Sequence, residues 1–124
     1  MSDREEGPVQ RIGLYVKAGC TTCNKAREVL RGHGVAFTER DVFRHPLDAD
    51  ELLALAALRT LRALFSDRSP SARALGLDPD ALPASELIGV MLQEPRLIRR
   101  PLVRIGDRLV IGCDAAAIAE ALRA

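Results

Sequence analysis

The stretch Ile12-Gly13-Leu14-Tyr15-Val16-Lys17-Ala18-Gly19-Cys20-Thr21-Thr22-Cys23 decides how the chain is read. Ile12 to Val16 is a short, mostly apolar run that predicts a buried strand. Lys17-Ala18-Gly19 turns the chain, and from about Thr21 to Arg31 the side chains of Ala26, Val29 and Leu30 share one helical face. Gly32-His33-Gly34 stops that helix. Val35 to Val42 then alternates through Val35, Phe37 and Glu39, which predicts a second strand. A strand-helix-strand crossover of this length makes the two strands parallel.

Working outward, Asp48-x-x-Glu51 is a capping-box start for a helix through Leu52, Leu53, Leu55, Ala56 and Leu58. Ser69-Pro70 opens a short helix ending at Gly76. Ser85 is expected to cap a third helix, Glu86 to Gln93, with Leu87, Val90 and Met91 on one face. Nothing from Leu47 to Leu97 alternates like a strand. Leu102 to Ile105, Gly106-Asp107 and Arg108 to Ile111 then read as a β-hairpin with a two-residue turn. Asp114 can cap a last helix through Ala121. The order is β-α-β, helical insert, β-β-α, without internal repeats or low-complexity tracts.

The 124 residues suit one domain with a core that needs no disulfide staples. A hydrophobic fraction of 48% and a charged fraction of 28% exclude a disordered chain. With 18 Lys+Arg against 17 Asp+Glu, the net charge of +1 argues against direct gripping of nucleic acid or an anionic membrane. Lys17 and Lys25 are the only lysines; most of this arginine bias is attributed to codon usage, so individual arginines matter rather than a patch. Met1 to Gln10 is polar, carries Gly7-Pro8 and lacks the apolar core of a signal peptide. Residues 1–10 are therefore expected to be a flexible tail and the protein to be cytoplasmic.

Three cysteines are too few for a secreted disulfide scaffold, and in a reducing cytosol a close pair points to redox chemistry or metal. Cys20-Thr21-Thr22-Cys23 lies where a strand turns into a helix. Unpaired N–H groups and the helix dipole there favour an anion, which for cysteine is the thiolate. Cys23, one turn along, is placed to attack a mixed disulfide formed on Cys20. Zinc needs four ligands, and Cys113, His33 and His45 are scattered, so no metal is expected. Two inert core cysteines are the other alternative. Cys113 is read as a small core hydrophobe, with an accessory thiol as the other reading, and His33 and His45 as turn residues. Phe37, Phe43 and Phe65 are core candidates.

A CxxC within a β-α-β unit has the thioredoxin-like signature. With Glu39-Arg40-Asp41-Val42-Phe43, Ser66-Asp67-Arg68-Ser69 and Arg99-Arg100-Pro101 added, residues 11 to 122 resemble the ArsC/Spx family, and more closely its Spx branch. The resemblance implies a thioredoxin/glutaredoxin-like mixed sheet of about four strands with an all-helical insertion. Residues 11–45 and 99–124 would form the thioredoxin-like part and 46–98 the insert. It also implies a cis Arg100-Pro101 bond facing the cysteine, with Arg100 holding a thiolate or an oxyanion.

Three functions follow from that resemblance. The favoured one is a thiol–disulfide redox protein, a reductase or a sensor, in which Cys20 attacks, Cys23 resolves and Arg100 assists. Lys17, Arg68 and Pro101 would contact substrate or thiolate, and glutathione, glutaredoxin or thioredoxin would donate electrons. A second is an Spx-like regulator binding the C-terminal domain of the RNA polymerase α subunit. Here the stretch Ala57-Leu58-Arg59-Thr60-Leu61 lacks the glycine of that contact loop. The third is a glutaredoxin-dependent arsenate reductase, whose three arginine positions fall here at Arg100, near Ser66 with Arg68 the nearest substitute two residues on, and near Val110-Ile111, where no arginine stands. Cys23 also departs from those enzymes, which leave resolution to glutathione and glutaredoxin.

Overall fold

The computed structural model describes residues 11–123. The expected tail over residues 1–10 lies outside them. The elements follow the expected order: β1 Ile12–Val16, α1 Thr21–Gly32, β2 Thr38–Asp41, α2 Ala49–Leu58, α3 Leu61–Leu64, α4 Pro70–Leu75, α5 Ala84–Gln93, a 3-10 turn Pro95–Leu97, β3 Leu102–Ile105, β4 Arg108–Ile111 and α6 Ala115–Arg123. The four strands form one sheet in the order β2-β1-β3-β4. β1 pairs parallel to β2, from Gly13 opposite Thr38 to Val16 opposite Asp41, and antiparallel to β3. β3 and β4 close the hairpin, with Gly106 at φ +61° in its turn, a conformation glycine adopts without steric cost. This is the thioredoxin-like mixed sheet that the resemblance implies.

Alternation along the strands gives the sheet two buried faces. Ile12, Leu14 and Val16 of β1 and Val103 of β3 pack with Ala26 and Leu30 of α1 and Ile118 of α6. Leu102 and Leu109 point the other way, onto Leu52 and Leu55 of α2 and Met91 of α5, and Tyr15 joins them at the edge of that cluster. The helical insert thus covers the face that α1 and α6 leave open.

The predicted caps form as written at three helices. Asp48 and Glu51 make the reciprocal capping box of α2, Ser69 caps α4, and Asp114 accepts the N–H groups of Ala116 and Ala117 in α6. Two expectations need correction. The second strand begins at Thr38 rather than Val35, because pairing with β1 begins only at Gly13; Val35 and Phe37 pack on the α1/α6 core before it. α5 is entered from Pro83, not capped by Ser85: the Pro83 carbonyl accepts from Glu86 and Leu87, and its φ of −59° suits a helix entrance. Between α2 and α4 the chain also forms the short helix α3, whose Thr60 hydroxyl accepts the Ala63 N–H at 3.0 Å. Among the described residues, no helix is long and apolar enough to cross a membrane.

Candidate functional site

Strand β1 delivers Lys17 to the carboxyl end of the sheet, and a tight turn follows. The Cys20 N–H bonds back to the Lys17 carbonyl at 3.3 Å, and Gly19 takes φ +78° to make that turn possible. Cys20 is then the N-cap of α1, its sulfur accepting the Cys23 N–H at 3.2 Å with the Thr22 hydroxyl 3.3 Å away. The first turn of α1 carries no acidic residue, so the positive end of the helix faces the sulfur unopposed there. Cys20 and Cys23 are disulfide-bonded, with Cα atoms 5.1 Å apart, inside the usual range for a disulfide. Cys20 is partly exposed, whereas Cys23 is buried in the α1/α6 core. The register puts the end of β4 at the same end of the sheet. Gly112 donates to the Pro101 carbonyl there, and Cys113 follows as a free, partly buried thiol.

The Arg100-Pro101 bond is cis, and Pro101 is buried. Arg100 is half-buried. Its Nη1 donates to the carbonyls of Ile98 at 2.9 Å and Pro95 at 3.4 Å, while its Nε is buried without a partner among the described residues. Burial, and then the like charge of Arg96, hold its pKa below the ordinary arginine value. Among the described residues no hydrogen bond joins Arg100 to Cys20; its guanidinium lies instead over the Phe43 ring.

An isolated antiparallel bridge between Phe65 and Ile98 joins the segment after α3 to the one that leads into Arg100. It is closed by Ser66 N–H to Leu97 at 2.6 Å and Arg99 N–H to Leu64 at 2.8 Å. Arg68 and the segment before Pro101 thereby border one open cleft of about 470 Å³, which also reaches Lys17. Lys17, Arg68, Arg96 and Arg100 line it, and its described lining includes no carboxylate. Of the residues singled out from sequence, Lys17, Arg68 and Arg100 therefore share a cleft, and Cys20 lies one turn of chain beyond Lys17. His33 caps the end of α1, and His45 donates its N–H to Asp41 in a turn; neither lines the cleft shared by Lys17, Arg68 and Arg100. Among the described residues, no group of three or more His, Cys, Asp and Glu side chains could hold a metal ion.

Sequence reasoning missed Phe43 and Arg96. Phe43 packs against the insert core as expected, but its ring also meets the ammonium of Lys17 and the guanidiniums of Arg96 and Arg100. For Arg96 the available signal was its position four residues before Arg100; for Phe43 the local sequence offered none beyond its apolar character.

A family model for the ArsC family matches residues 15–121. The chain belongs to the ArsC family. Among curated relatives of this ArsC-family protein, the global transcriptional regulator Spx of Enterococcus faecalis is 36% identical over 103 residues, covering 82% of this chain and 78% of that protein. A solved protein named YffB is 30% identical with a TM-score of 0.78, covering 90% of this chain and 98% of that one. The arsenate reductase from Vibrio cholerae superposes with a TM-score of 0.83 at 20% identity, over 93% and 100% of the two chains, a likeness of fold. A CxxC pair within this family supports a thiol redox protein or a regulator like Spx.

Proposed function

We propose that this protein is a thiol–disulfide redox protein whose working pair is Cys20 and Cys23. The observation that carries this reading is the bonded pair at the N-cap of α1, with the outer sulfur partly open and the inner one buried. In the reduced protein the helix N-terminus and the Cys23 N–H favour the Cys20 thiolate. That thiolate attacks a disulfide of a partner and forms a mixed disulfide. Cys23, one turn on, then displaces the partner and regenerates the Cys20–Cys23 bond. Arg100, Lys17 and Arg68 supply positive charge to the thiolate or to an anionic partner, and glutathione, glutaredoxin or thioredoxin returns the electrons. Pro101, buried next to Arg100 in the chain, shapes the approach to the sulfur.

The Spx relatives favour a second reading. As a cytoplasmic sensor the same pair would switch a contact with the RNA polymerase α subunit, without the protein touching DNA itself. Arsenate reduction is the third reading. Its last arginine position falls at Val110, buried in the α1/α6 core, and Ile111, packed toward the insert. Arg96 adds a further cation to the cleft.

Thiol titration separates these readings from an inert pair. Cys20 in the reduced Cys23→Ala protein is expected to titrate below ~8.5, the ordinary thiol value. The wild type is expected to form its disulfide reversibly in a glutathione redox buffer. An ordinary titration together with no reversible disulfide would sink the redox reading. Turnover of arsenate with glutathione and glutaredoxin would select the third reading, and oxidation-dependent capture of the polymerase α subunit the second.

A further inference from the structure

Phe43 stands just beyond β2, where the Asp41 carboxylate accepts the N–H groups of Phe43 at 2.9 Å and Arg44 at 3.2 Å. These bonds hold the turn, and contact with the insert core holds the ring. Three cations from two separate parts of the chain, Lys17 after β1 and Arg96 with Arg100 before β3, surround that ring. Lys17 Nζ lies 5.2 Å from its centroid, Arg100 Cζ 5.3 Å and Arg96 Cζ 5.8 Å. Like charges around one point repel, and the ring's negative face is a shared attraction that offsets this. Glu94, 3.6 Å from Arg96, opposes one of them in part, and the Asp41 carboxylate is turned to its own backbone. The same three cations, with Arg68, line the cleft whose described lining has no carboxylate.

We propose that Phe43 is a positioning residue that holds Lys17, Arg96 and Arg100 together as one cationic wall, and that this wall makes the Cys20–Cys23 pair select disulfide partners that carry carboxylates. The inference rests on the redox reading above and names its partner class. In the step concerned, a bond forms between Cys20 and one partner sulfur as the partner's own S–S bond breaks and its first thiolate leaves. Cys23 then attacks the Cys20 sulfur, the protein disulfide forms, and the second partner thiolate leaves. Two electrons pass from protein to partner, and the protons of the two protein thiols pass to solvent. The wall acts on the approach and seating of the anionic partner, not on the bonds exchanged.

The test uses two disulfide reagents on the reduced protein: dithiobis-nitrobenzoate, which carries two carboxylates, and uncharged dithiodipyridine. Each rate is divided by that of free mercaptoethanol at the same pH, which removes the reagents' intrinsic reactivity. The wild type is expected to favour the anionic reagent by on the order of tenfold at low salt, as steering by a local field allows. Salt should erode this preference, since the Debye length falls to about 3 Å at 1 M. Phe43→Leu and Arg96→Gln should each cut the preference by roughly threefold, while Phe43→Tyr, which keeps the ring face, retains it. Packing alone would move both rates together. Arg96 is largely exposed, so Arg96→Gln carries the test if Phe43→Leu does not fold. A wild-type preference no greater than that of the free thiol, or one undiminished in the folded variants, overturns the inference. If the uncharged reagent still drives the protein to its disulfide, the redox reading survives that result. Failure with both reagents ends the two together.

Discussion

The Cys23 side chain is 1% exposed, packed with Ala26 and Leu30 of α1, whereas Cys20 stands partly open at the helix N-cap. An alkylating agent must reach the sulfur in line, so burial as well as thiolate character sets its rate. In the reduced protein, limited iodoacetamide is expected to label Cys20 at least about tenfold faster than Cys23, with peptide mass spectrometry reading the sites. A Cys113→Ser background removes the third thiol from the measurement. Equal labelling of the two sites would contradict the assignment of Cys20 as attacker and Cys23 as resolver. This asymmetry is legible in the sequence, since three residues of spacing at a strand-helix junction are a local fact. The cationic wall is not. Lys17, Phe43 and Arg96 belong to separate segments, and their meeting depends on how the insert lies against the sheet. The apolar character of Phe43 marks it as core, and its contacts with the insert agree. Nothing in local periodicity reveals that its other contacts are cations.

At the level of elements, the segment Glu39-Arg40-Asp41 ties three parts of the chain to β2. Glu39 takes two hydrogen bonds from Arg27 of α1, at 2.7 and 2.8 Å, which fixes the helix that carries the cysteines. Arg40 pairs with Glu51 of α2 and donates to the His45 carbonyl at 2.9 Å, while Asp41 sets the turn to Phe43. The hydrogen bond from Arg27 holds the Glu39 carboxyl below its ordinary pKa, and that from Arg40 does the same for Glu51. A carboxyl with a lowered folded-state pKa stabilises the fold above its unfolded value, near ~4.3, and loses that contribution as pH falls through the folded value. Glu39→Gln is therefore expected to cost no more than about 1 kcal/mol at pH 7, the range for partly exposed pairs. The gap to wild type should narrow as pH falls below about 4.3. Urea unfolding at several pH values measures this, and a gap constant down to strongly acid pH would assign the effect to packing instead. The cap chemistry of α2, α4 and α6 was legible because an N-cap is settled within four residues. The start of α5 was not, because Pro83 and Ser85 compete for the same entrance and the proline carbonyl prevails.

For the whole molecule, the question is whether the insert is a separate unit or part of one fold. Leu102 and Val103 are neighbours on β3, both 0% exposed, yet Leu102 faces the insert core and Val103 the α1/α6 core. A single strand thus serves both cores, and the insert cannot lose its packing without uncovering one face of the sheet. The chain has one tyrosine and no tryptophan, and Tyr15 of β1 packs at the edge of the insert core. Its fluorescence reports docking of the insert on the sheet, whereas far-UV circular dichroism reports all the helices. We expect the two signals to follow one transition in urea, the mark of a single cooperative unit. Leu102→Ala, which empties space on the insert face, should cost about 2–5 kcal/mol. It should shift both curves together, without separating them. A tyrosine transition that precedes the circular dichroism one would show the insert undocking independently. The Arg68 and Arg96 side of the cleft would then be free to part from Lys17 and the cysteine pair, so coincidence of the curves bears on the site as much as on the fold.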